Sequence, residues 1–87
     1  MIFKIRKQQE TLEQLIDNVK DVCKDGYKLL AKLDGMDYKV QCKQVHWQVH
    51  GKFYYPYIVE VYVNSDLVKS EIKIDGSWQN WIKVYKN

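Results

Sequence analysis

The chain has 87 residues, of which 46% are hydrophobic and 14% aromatic, and its net charge is +3. That supplies one folded domain rather than two, and no stretch has the composition of a disordered segment. The small charge excess is too weak to announce a nucleic-acid binder, although it leaves room for a local patch, and Arg6 is the only arginine.

Met1–Arg6 (MIFKIR) has neither the apolar length nor the small-residue cleavage site of a secretory signal. No apolar run approaches the length of a bilayer span, so no membrane association is expected. Cys23 and Cys42 can pair in principle but are too few for a disulfide framework. Both are read as reduced thiols, buried as small hydrophobes, in a cytoplasmic protein. The abundance of Lys, Asn, Ile and Tyr suits an AT-rich genome, such as that of a low-GC bacterium, a phage or another mobile element.

Residues 8–33 carry a helical pattern. At 100° per residue, Leu12, Leu15, Ile16, Val19, Val22, Cys23, Tyr27, Leu29, Leu30 and Leu33 fall on one half of the wheel. Lys20, Lys24, Lys28 and Lys32 step by four on the other half, as one solvent-facing ridge would. Asp25-Gly26 interrupts the pattern, because glycine costs a helix about 1 kcal/mol and Asp-Gly favours a turn. The favoured reading is one long helix, kinked at Gly26. The alternative ends the helix near Lys24 and makes Tyr27–Leu33 a strand, joined to the next through Asp34-Gly35.

After Gly35 the texture turns to β. Asp37–His50 alternates with a phase slip: Tyr38, Val40 and Cys42 are even-numbered, whereas Val45, Trp47 and Val49 are odd-numbered. A bulge near Lys43-Gln44 restores one face and bends the strand. His50-Gly51, Asn64-Ser65-Asp66 and Asp75-Gly76 then punctuate strands at 53–63, 67–74 and 78–85. Lys52–Val63 (KFYYPYIVEVYV) is apolar on both faces, with Glu60 and Lys52 its only charges. Pro56 cannot donate to a ladder, so it marks an edge or a second bulge. Met1–Ile5 is a candidate for a further short strand. The expected architecture is an α+β helix-grip: one long N-terminal helix packed on a bent four-stranded antiparallel meander. A helix of that length spans about 39 Å, comparable to bent strands of about 36 to 46 Å.

Catalytic chemistry finds little support. Cys42, His46 and His50 have spacings that would share one helix face, but on a strand four residues span about 13 Å, too far for one metal ion. Cys23 lies on the apolar helix face, where a thiolate is disfavoured. No paired carboxylates and no glycine-rich phosphate loop occur. The chain is therefore read as a non-enzyme without metal or cofactor.

Binding is the better class. Trp47, Tyr54, Ile58, Tyr62, Trp78 and Trp81 are the candidate partner-binding residues, since Tyr and Trp give large contact area at low entropic cost. The expected activity is that of a small inhibitor or regulator occupying a surface of another protein. Self-association as a homodimer is as compatible with the two-faced strand as a monomer. The alternative is a nucleic-acid surface in which aromatics stack bases while Lys39, Lys43, Lys52, Lys69, Lys73 and Lys83 meet phosphates.

Trp47-Gln48-Val49-His50-Gly51 and the hairpin Asp75–Trp78 carry one family resemblance. A helix followed by a bent meander is similar to the cystatins, especially the disulfide-free stefin type. The first segment matches the family's Q-x-V-x-G at Val49 and Gly51, with Trp47 in place of Gln. Trp78 stands near the family's Pro-Trp, without the Pro. The family's N-terminal glycine has no counterpart in Met1–Lys7. The resemblance implies the fold and, as a further alternative, inhibition of papain-like cysteine proteases through the two hairpins.

Overall fold

The computed structural model describes residues 11–81. Helix α1 (Leu12–Val22) leads into strands β1 (Lys28–Leu33), β2 (Met36–Gln44), β3 (Trp47–Val49), β4 (Lys52–Tyr54), β5 (Tyr57–Val63), β6 (Asp66–Ile74) and β7 (Ser77–Asn80). The class is α+β with antiparallel pairing. β1, β2, β5, β6 and β7 form a five-stranded sheet in that order, and β3 and β4 form a separate two-stranded ribbon. Among the described residues, no helix is long and apolar enough to cross a membrane. The candidate strand at Met1–Ile5 and the residues from 82 on, Lys83 included, lie outside the described residues.

The start of α1 is fixed locally. Thr11 Oγ1 accepts from the Gln14 amide at 3.1 Å, and Gln14 Oε1 accepts from the Thr11 amide at 2.8 Å. This capping box satisfies two amides that the first turn leaves without helical partners.

The long helix is not formed. α1 ends at Val22, and Cys23 caps it in the left-handed region (φ 48°, ψ 57°) with its amide bonded to the Val19 carbonyl. Gly26 follows at φ 89°, a conformation that side chains resist. Its amide donates to the Cys42 carbonyl, and the Cys42 amide donates to the Tyr27 carbonyl, so the chain enters a β ladder at once. Tyr27–Leu33 fits both periods because its apolar residues are dense. Leu30 separates the two readings: a helix would bury it, yet it is 71% exposed. The lysine ridge dissolves with the helix, since Lys28 and Lys32 stand on β1 and Lys20 is half-buried.

The meander is likewise enlarged and divided. The predicted strand 37–50 breaks at Val45-His46 into β2 and β3, and its neighbour breaks at Tyr55-Pro56 into β4 and β5. The breaks face one another, and the Val45 amide donates to the Pro56 carbonyl across them at 2.9 Å. The bend thus lies two residues beyond the expected bulge, opposite the proline that cannot donate. The turns at Asp34-Gly35, His50-Gly51 and Asp75-Gly76 sit at the ends of hairpins, with each glycine at positive φ.

Helix and sheet share one core of Leu15, Ile16, Val19, Val40, Cys42, Val59 and Val61. Register explains the membership: Val40 pairs with Val61 and Cys42 with Val59, so all four face α1. Burying one such side chain contributes about 1.5 to 3 kcal/mol. The alternate residues of β5, Ile58, Glu60 and Tyr62, point to the opposite face. β5 is bonded by β2 on one side and β6 on the other, so it has no free edge for pairing with a second copy.

Candidate functional site

Aromatic side chains gather on the β3–β4 arm. Trp47 pairs with Tyr54 and Val49 with Lys52, while Gln48 and Phe53 take the other face. On that other face His46 stacks between two rings, with centroids 5.1 Å from Phe53 and 5.3 Å from Tyr55. Phe53, Tyr54 and Tyr55 are 55%, 48% and 59% exposed, which is unusual for three consecutive aromatics. The two strands of the arm pack on each other and on no other strand or helix to a comparable extent.

A groove of about 460 Å³ lies where the arm meets the β6–β7 turn. Trp47, Val49, Tyr54, Tyr55 and Pro56 line one side, and Lys73, Ile74 and Asp75 the other. Trp81, just beyond β7, meets the Trp47 ring edge-on at 6.3 Å. Aromatic pairs of this geometry contribute about 0.5 to 1.5 kcal/mol beyond their buried area. The lining is mostly apolar with an ammonium and a carboxylate at the rim, as is common for sites that hold a small ligand or a side chain.

The six expected partner-binding residues do not form one stripe. Trp47, Tyr54 and Trp81 come together at the arm. Ile58 is buried at 3% exposure, paired with Ile72 on the face away from α1. Trp78 packs against the helix-side core, with Lys20 Nζ 5.3 Å and Lys73 Nζ 5.9 Å from its ring centroid. Tyr62 stands on the face away from α1, where Lys39 Nζ lies 4.5 Å from its ring centroid.

Glu60 organises the centre of that face. Its Oε1 accepts from Gln41 Nε2 at 3.0 Å and from the Tyr62 hydroxyl at 3.1 Å, with Lys43 Nζ 3.9 Å away. Burial, then the Glu60 hydrogen bond and charge, raise the Tyr62 phenol above its ordinary range. The lysines of the nucleic-acid reading divide. Lys39 and Lys43 share the face of Glu60, Lys69 and Lys73 stand on the helix side of β6, and Lys52 is on the arm. Lys69 is also 3.4 Å from Glu71.

Cys42, His46 and His50 fall in β2, in the break and at the arm's turn, respectively. Among the described residues, no group of three or more His, Cys, Asp and Glu is placed to hold a metal ion. Sequence reasoning missed His46, Phe53 and Tyr55 as a group. Its signal was present: the phase slip at Lys43-Gln44 and Pro56 both mark where the sheet ends and the arm begins.

Comparison with protein-family models, with curated proteins and with solved structures gives no match.

Proposed function

We propose that this protein is a non-catalytic binding module that occupies a surface of another protein through its β3–β4 arm. The exposure of Phe53, Tyr54 and Tyr55 on an arm that stands apart from the sheet carries this reading. Phe53, Tyr54 and Tyr55 contribute little to the core, whereas burying them against a partner yields large apolar area from rings with few rotatable bonds. The groove beneath provides a receptor for a partner side chain. A small regulator or inhibitor acts in this way, by occupation rather than by reaction.

The cystatin resemblance assigns binding to two hairpins, and both the arm and the β6–β7 turn border this groove. That supports recognition at this end of the molecule. The choice of a papain-like protease as target gains less, because Trp78, matched to the family's Pro-Trp, packs inward. The nucleic-acid reading is disfavoured by the division of the lysines between faces and by Lys39, which stands over the Tyr62 ring.

The test is affinity capture from the native host with the wild-type chain and with Phe53→Ala/Tyr54→Ala, each with and without nuclease. A captured protein that survives nuclease and is lost with the double variant supports the proposal. Equal capture by a variant of unchanged circular dichroism overturns it.

A further inference from the structure

The two cysteines, nineteen positions apart by numbering (42 minus 23), meet at the end of the helix. Cys42 is fully buried in β2 within the core cluster that includes Val19. Cys23 stands one helical turn beyond Val19, on the same side of α1, and its left-handed cap turns the chain back toward the sheet. Gly26 and Tyr27 then bond the carbonyl and amide of Cys42 at 2.9 and 2.8 Å. The Cys23 thiol and the Lys24 amide are both near enough to the Cys42 thiol to influence its ionisation. Cys23 is half-buried and so reachable, whereas Cys42 is sealed.

We infer that Cys23 and Cys42 are an oxidation site that closes to an intramolecular disulfide when the protein meets a small-molecule disulfide. The reachable Cys23 thiolate attacks one sulfur of the oxidant, whose S–S bond breaks to release one thiolate and leave a mixed disulfide. The Cys42 thiolate then attacks Cys23 Sγ, the mixed disulfide breaks, and the second small thiolate leaves. The two cysteine protons pass to the released thiolates, so one disulfide is reduced to two thiols as the protein pair is oxidised. Burial pushes the Cys42 thiol up to about 11, with Cys23 and Asp25 adding to the effect, so the second step is slow near neutral pH and quickens as pH rises. The bond ties the end of α1 to β2 and closes a loop that contains all of β1, which restricts the unfolded chain.

The experiment treats the dilute native protein with oxidised glutathione and reads intact mass, followed by thiol alkylation in denaturant. The expected product is a monomer lighter by about 2 Da with no alkylatable thiol, and its melting midpoint exceeds that of the reduced protein. A lasting glutathione adduct on Cys23 with Cys42 still alkylatable overturns the inference, as does a Cys23-linked dimer or an unreacted chain. Cys42→Ala is expected to halt at the Cys23 adduct. Should that variant fail to fold, Cys23→Ser serves instead, with Cys42 expected to stay unmodified in the native protein; its ready oxidation there also overturns the inference.

Discussion

Lys20 Nζ on α1 lies 2.8 Å from Glu71 Oε1 on β6, joining the helix to the strand beside β5 and extending its contacts with β1, β2 and β5. Both side chains are mostly buried, at 18% and 14% exposure. Burial alone would raise the Glu71 carboxyl, but the Lys20 hydrogen bond and charge, helped by Lys69, outweigh it and hold the group below its ordinary range. A carboxyl lowered in the folded state stabilises the fold fully above its unfolded value, about 4.5. That stability is lost as pH falls through the lowered folded value. Glu71→Gln is therefore expected to be less stable than wild type at pH 7, by about 1 to 3 kcal/mol, with the gap narrowing in acid. Urea unfolding at pH 7 and pH 3 checks this, and a gap that does not change with pH would refute the ion-pair account.

Gly26→Ala isolates backbone conformation from packing. A Cβ there meets nothing within 4 Å, so the cost comes from φ 89° alone. The expected loss is about 1 to 2 kcal/mol, which displaces the thermal midpoint downward by several degrees. An unchanged midpoint would mean that the turn after α1 relaxes to another shape.

Val19→Ala removes a side chain that is 0% exposed at the centre of the helix–sheet contact. A loss of about 2 kcal/mol is expected in chemical denaturation. By contrast Leu30→Ala, at 71% exposure, is expected to fall within about 0.5 kcal/mol of wild type. The pair tests the β assignment of residues 28–33, since a continuous helix would make Leu30 costly.

Tyr62→Phe removes a hydroxyl that donates to Glu60 while keeping the ring under Lys39. The expected cost is about 1 kcal/mol. Because the phenol is raised in the folded state, the bond's contribution is complete below the unfolded tyrosine value and is lost as pH climbs through the folded one. Wild type and variant should converge in strong alkali.

Salt separates the two binding readings. Protein recognition by the arm's aromatics predicts an affinity that changes little between low and physiological salt. Binding to oligonucleotides through the lysines predicts a steep decline. Titration of labelled single-stranded DNA across that range is the direct measurement.

The turn residues made much of the fold legible. Asp34-Gly35, His50-Gly51 and Asp75-Gly76 need positive φ at glycine, and alternation between them set which β residues enter the core. The helix boundary was not legible by periodicity, because Tyr27–Leu33 is apolar enough to satisfy both templates. Only pairing with β2, a long-range event, decides it. The candidate site was half legible. Trp47, Tyr54 and Trp81, named by residue type, come together near the arm, whereas Ile58 and Trp78 pack inward, because alternation says which face a residue joins and not what covers it.

The paired breaks at Val45-His46 and Tyr55-Pro56 set the β3–β4 ribbon off from the five-stranded sheet. Substitutions of its exposed residues, Phe53 and Tyr55 above all, are therefore expected to leave the melting behaviour of the rest nearly untouched. Such a separation lets the hairpin be exchanged for a foreign one of similar span, with the five-stranded sheet serving as its frame.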